Sequence, residues 1–93
     1  MRFAYKDIKF QKHAQENWLV VAGEITNSTG RSYHAVVFRC IVFIKTVPVA
    51  NVAICINGFL AGQTRTFEVR VAELEYKILP EITRYEIYAE SAY

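Results

Sequence analysis

Apolar and polar residues alternate with a period of two in short blocks along this chain, and each block is bounded by turn-forming residues. Helical spacing is nearly absent, so the pattern predicts antiparallel β-structure throughout. A first strand is expected over residues 2–10, followed by the polar loop KHAQEN. The second, over 18–26, sets Leu19, Val21, Gly23 and Ile25 on one face and Trp18, Val20, Ala22 and Glu24 on the other. Asn27 and Gly30 then supply the conformations a turn requires. The third strand, 33–45, is apolar on both faces, with Val36, Phe38, Cys40, Val42 and Ile44 opposite Val37, Arg39, Ile41 and Phe43. A hairpin turn at 46–49 leads to a fourth two-sided strand at 50–56, and the loop NGFLAGQT to a fifth, where Phe67, Val69 and Val71 alternate with Glu68 and Arg70. ELEYKIL is the one segment expected to make a helical turn, ended by Pro80. A last strand over 84–90 alternates Tyr85, Ile87 and Ala89 with Glu86, Tyr88 and Glu90.

Length and composition narrow the architecture. Ninety-three residues support one core, so the expectation is a single β-sandwich domain over 1–93. Hydrophobic residues make up 53% of the chain, which excludes a disordered segment, and six Tyr with six Phe suit sheets better than helical bundles. The net charge of +2 is too small to imply a nucleic-acid partner. Lys6, Lys9 and Lys12 read as protection of an edge strand, since no aromatic residues are interleaved as stacking platforms. The first ten residues alternate and form no signal-peptide block. The uncharged run TVPVANVAICINGFLAGQT is broken by Pro48, Asn51, Asn57, Gly58 and Gln63, so no membrane insertion is expected. The compartment stays open between the cytoplasm and the exterior, the latter if the chain is a piece of a longer exported protein.

The search for chemistry comes back thin. Cys40 and Cys55 are too few and too far apart for zinc. If the hairpin closes symmetrically about Val47 and Pro48, the two cysteines oppose each other and a cross-strand disulfide is possible; two small buried hydrophobes are the commoner outcome. His13 lies in a polar loop and His34 at a strand start, about 20 Å of extended chain from Cys40, so no dyad is expected. His13 with Glu16 lacks the spacing that fixes a coordination sphere. Glu73, Glu75, Glu81, Glu86 and Glu90 read as solvated charges, with Tyr85 and Tyr88 as sheet fillers among them. Asn27-Ser28-Thr29 is a glycosylation sequon whose turn role accounts for it. The expectation is therefore no catalytic residue, no cofactor and no metal.

One stretch resembles a family. Val21-Ala22-Gly23-Glu24-Ile25 with Asn27, then a long apolar strand, then Leu60-Ala61-Gly62-Gln63-Thr64 followed by Phe67, are similar to the FxLYD family of prokaryotic immunoglobulin-like domains. The likeness spans about residues 18–72. Ala61 stands where proline is usual, and Cys40-Ile41-Val42-Phe43-Ile44 occupies the place of the naming motif without its aspartate. The resemblance implies an immunoglobulin/fibronectin-III-like antiparallel sandwich of about six to seven strands, with no cofactor. Physical reasons accompany the matched positions: Gly23 lets another element approach closely or marks a bulge, and Leu60 with Gly62 is expected to plug one end of the sandwich.

A sandwich strand needs only one apolar face, and the second and third strands have two. Trp18, Val20, Val37, Ile41 and Phe43 exceed that need. They are expected either to lie under Arg and Lys stems and ELEYKILPEI, or to form one exposed patch on adjacent strands. Such a patch predicts a non-enzymatic interaction or spacer module that binds an unidentified protein or a second copy of itself as a homodimer. The alternative from another class is a small protease inhibitor presenting TVPV (46–49) or GFLA (58–61) as a substrate-like loop.

Overall fold

The computed structural model describes residues 2–93 and is an all-β sandwich of two three-stranded antiparallel sheets. The strands are β1 (Phe3–Lys12), β2 (Trp18–Asn27), β3 (Tyr33–Ile44), β4 (Val47–Phe59), β5 (Thr64–Glu75) and β6 (Arg84–Ala92). A 3₁₀ turn at Tyr76–Glu81 separates the last two, with Pro80 inside it. One sheet has the order β1–β2–β5 and the other β4–β3–β6. The chain thus crosses between sheets after β2, after β4 and after β5. Leu60 does not plug the crossing after β4, as expected of it. It is 55% exposed, and the adjacent Phe59 is buried there instead.

The alternation in β1 changes phase midway. Phe3 and Tyr5 face the core before Asp7, and Ile8 and Phe10 pack against it afterwards. Asp7 adopts a left-handed conformation (φ 56°), and the pairing with β2 slips between Lys6 and Lys9. Asp7 and Ile8 therefore oppose a single residue, Gly23, which is the arrangement of a β-bulge. A Cβ on Gly23 would lie 3.1 Å from the Ile8 Cα and 3.3 Å from the Asp7 carbonyl oxygen. Backbone cannot retreat as a side chain can, so this glycine is required by the bulge across from it.

Between the sheets, Leu19, Val21 and Ile25 of β2 meet Val36, Phe38, Cys40 and Val42 of β3 and Val52, Ile54 and Ile56 of β4. An aromatic cluster fills one end. Phe3 stands edge-on to Phe38 with ring centres 5.0 Å apart and stacks on Phe59 at 5.9 Å, geometries that add to plain burial. Tyr5 joins edge-on to Phe38, and burial raises the pKa of its phenol. At the opposite end Tyr76, Ile78 and Leu79 of the 3₁₀ turn pack against the same core.

Asn27 is the only fully sealed polar side chain among the described residues. Its Nδ2 donates to the carbonyls of Arg31 (2.7 Å) and Phe59 (3.2 Å). Its Oδ1 accepts from the backbone N–H (3.1 Å) and hydroxyl (2.7 Å) of Thr29. Its backbone N–H donates to the Gln63 carbonyl (2.9 Å), and its own carbonyl accepts from the N–H of Gly62 (2.8 Å), a glycine held at φ 78°. The role expected for Asn27, shaping its own turn, is thus half of what it does; it also anchors the β4–β5 crossing. A side chain sealed in this way leaves the sequon no free amide for a glycan in the folded protein.

These contacts can be tested by substitution. Asn27→Ala strips the Phe59 carbonyl of a partner in a dry environment, and should cost about 2–4 kcal/mol in urea unfolding. Asn27→Asp aims a carboxylate at two carbonyls; its penalty should grow as pH rises above about 4, because only the protonated acid can donate. Gly23→Ala should cost about 1–3 kcal/mol by crowding the bulge. An unchanged urea midpoint for either alanine variant would contradict the geometry.

Candidate functional site

The two strands expected to carry one apolar patch lie in different sheets. β2 is central in one and β3 central in the other, so Trp18 and Val20 face away from the molecule on the opposite side from Val37, Ile41 and Phe43. The five residues do not form a single face, because the turn at Asn27–Ser32 carries the chain across the sandwich instead of reversing it within one sheet.

The β2 half is largely covered. Val20 is only 1% exposed, flanked by Gln11 of β1 and Arg70 of β5. The Arg70 guanidinium lies 4.4 Å from the centre of the Trp18 ring, a cation–π contact, and the His13 ring sits at 5.4 Å from it. Trp18 stays 36% exposed at the margin of this cover. Arg70 over Trp18 supplies part of the cover on the second apolar face of β2, and the ELEYKILPEI segment borders it, Glu75 pairing with Trp18. His13 holds its own loop: its Nδ1 accepts from the backbone N–H groups of Gln15 (3.1 Å) and Glu16 (3.2 Å).

The β3 half is more open. On the outer face of β4–β3–β6, Val37 lies between Cys55 and Ser91, Arg39 between Ala53 and Tyr88, and Ile41 between Asn51 and Glu86. Val37 and Ile41 are half-buried, whereas Ala53, Cys55 and Tyr88 are exposed. Arg39 is ion-paired with Glu90, which raises the pKa of its guanidinium, and Arg84 with Glu86 at 2.7 Å. Phe43 drops out of the exposed set. The Arg84 guanidinium lies 3.8 Å from its ring centre, and only 9% of the residue is exposed. The apolar residues that remain are Val37, Ile41, Ala53, Cys55 and Tyr88, grouped around the Arg39–Glu90 ion pair and bordered by Arg84–Glu86. Alternation alone did not reveal Ala53, Cys55 and Tyr88, because their exposure depends on register.

That register separates the two cysteines. The hairpin turns on Lys45-Thr46, with Lys45 at φ 56°, and Ile44 pairs with Val47. The turn is tighter than one centred on Val47 and Pro48, and the pairing then slips by one residue at Val49, so Cys40 opposes Val52 and Cys55 opposes Val37. An odd offset reverses faces. Cys40 is sealed in the core, Cys55 is exposed on the outer face, and both thiols are free. Burial raises the Cys40 thiol from an ordinary 9.0 to about 11.

The loops considered for protease inhibition are short and closed. TVPV runs from the two-residue hairpin into β4, already paired with β3. GFLA ends β4 and enters a turn in which Leu60 N–H donates to Gln63 Oε1 (3.1 Å) and Ala61 N–H to Ser32 Oγ (3.0 Å). His34 is exposed and Cys40 is sealed, so the structure does not bring them together. Among the described residues no group of three or more His, Cys, Asp or Glu side chains is placed to hold a metal. No helix among them is long and apolar enough to cross a membrane. Compared with protein-family models, with curated proteins and with solved structures, the chain finds no match.

The cysteines supply a direct check. In the native protein at neutral pH one thiol, that of Cys55, should react with a disulfide reagent, and both should react in denaturant. Above pH 9 the unfolded chain loses the Cys40 proton before the folded chain does. Stability present below about pH 9 should therefore fall as pH climbs towards 11, by roughly 2–3 kcal/mol. Cys40→Val should remove that part of the decline, and equal slopes in the two proteins would refute the assignment.

Proposed function

We propose that the chain is a non-enzymatic interaction or spacer module, akin to the FxLYD-like immunoglobulin-like domains, that engages a protein through the outer face of the β4–β3–β6 sheet. The observation that carries this reading is the set Val37, Ile41, Ala53, Cys55 and Tyr88, spread over all three strands of that sheet around the Arg39–Glu90 ion pair. The opposite outer face has its comparable residues, Val20 and Ala22, almost fully covered. Apolar side chains and a tyrosine around a paired arginine have the composition of a small protein interface, where tyrosine and arginine are enriched.

Cys55 gives an experimental handle inside this set, because Cys40 does not compete for reagent. A photocrosslinker attached to Cys55 should yield discrete adducts in extracts of the source cell. Ile41→Glu should abolish them, since an unpaired carboxylate in an apolar contact is costly, while shifting the melting temperature little. Adducts that survive Ile41→Glu unchanged would place the binding surface elsewhere.

A further inference from the structure

The lateral edges of the two sheets are not treated alike. β1 carries Lys6, Lys9 and Lys12 and the Asp7 bulge, features that discourage another strand from adding. The second residue of β4 is Pro48, which has no N–H, and side chains from β5 occupy some of its backbone groups. Glu73 Oε2 accepts the Asn51 N–H (3.1 Å), and Arg65 Nη1 donates to the carbonyls of Asn57 (3.1 Å) and Gly58 (3.4 Å). β5 lies along that same side, against β4.

β6 has fewer of these devices: its one irregularity is a bulge at Glu90, where the pairing with β3 slips. Its nine residues, Arg84–Ala92, contain no lysine and no proline, and it is hydrogen-bonded to β3 alone. Among the described residues no side chain bonds its outward backbone groups. Beside it, where the sandwich gapes towards β1, a cleft of about 370 Å³ is lined by Arg2, Phe3, Tyr5, Ile87, Tyr88 and Ala89. Tyr85 (39%), Tyr88 (44%) and, just past the strand, Tyr93 (66%) are among its most exposed large side chains.

We propose that β6 is a self-pairing edge. A second copy of the chain adds its own β6 antiparallel about a two-fold axis at Ile87, joining two β4–β3–β6 sheets into one of six strands. The charge pattern selects this occupant and this register. With Ile87 opposite the partner's Ile87, Arg84 stands opposite the partner's Glu90, and Glu90 opposite the partner's Arg84. Slipping by two residues sets Glu86 against the partner's Glu90 in one direction and against the partner's Glu86 in the other. A slip by one turns the apolar row outwards. Glu90 points to the outer face, where it meets Arg39. On the inner side the same register lays the partner's Tyr85, Ile87 and Ala89 over the apolar cleft. An isologous contact needs only one self-complementary surface, and β6 supplies it.

This inference goes beyond the face-binding reading: edge and face share Tyr88, Arg84 and Glu90, but Ile41 belongs to the face alone and Ile87 to the edge alone, so each reading can fail alone. Sedimentation of the full chain across a hundredfold range of concentration should show a reversible dimer. Arg84→Glu and Glu90→Arg each oppose like charges at two symmetry-related places, and each should weaken the dimer roughly tenfold. The double variant should restore it. Ile87→Cys in a Cys40→Val, Cys55→Ser background, which removes the Cys40 thiol directly across from it, should form a linked dimer under mild oxidation, since self-opposed residues of an antiparallel pair lie about 4.5–5.5 Å apart. A chain that stays monomeric at millimolar concentration and gives no linked dimer overturns the proposal. So does a dimer insensitive to both charge reversals; loss of that dimer with Ile41→Glu would assign it to the outer face and leave the interaction-module reading standing.

Discussion

At one end of the sandwich two crossings between sheets meet, and the side chain of Asn27 satisfies both. It bonds the carbonyl that leads into β3 and the carbonyl that ends β4, while its backbone bonds the turn that begins β5. A carboxamide suits this place because it offers donors and an acceptor without a charge. An apolar residue would leave two carbonyls bare in a dry site, and a charged one would require partners that are not there. Strands β2 to β5 therefore hold their mutual positions through one group, and the aromatic cluster of Phe3, Phe38 and Phe59 packs nearby because that end is closed.

Register then decides what each face presents. Local features set it, among them the bulge at Asp7 opposite Gly23, the slip at Val49 just beyond the two-residue turn at Lys45-Thr46, and the slip between Val37 and Phe38 that accommodates Glu90. Each adds or removes a single residue from a period-two pattern, which swaps the faces of all later residues in the strand. Phe10 is turned inwards, Cys55 outwards, and Glu90 is brought to Arg39. Single-residue events of this kind, and not composition, define the surface.

The proposed interaction surfaces arise from unequal protection. One outer face is dressed in part by Arg70 over Trp18, and the other keeps apolar residues around the Arg39–Glu90 pair. The edges of β1 and β4 are blunted by lysines, a bulge, a proline and side-chain bonds, whereas β6 has only the bulge at Glu90. Protection has an entropic cost, since long side chains must be ordered to supply it. Its scarcity on one face and one edge is what makes them the candidates for contact.

Much of this protein was legible in its sequence. Period-two alternation located all six strands, ELEYKIL marked the single helical turn, and Gly23 signalled a close approach, because these depend on local backbone geometry and side-chain direction. Two-sided apolarity was also readable in β2, β3 and β4, but it did not separate the central strands β2 and β3 from the edge strand β4. Which residues those second faces met was not. Alternation assigns a side to each residue relative to its own strand, but it does not say which sheet the strand joins. The placement of Val20 beside Arg70, of Phe43 under Arg84, and of Cys55 opposite Val37 depends on crossings and bulges. Those are settled by pairings between residues tens of positions apart, where a shift of one residue reverses inside and outside, and only the tertiary structure decides them.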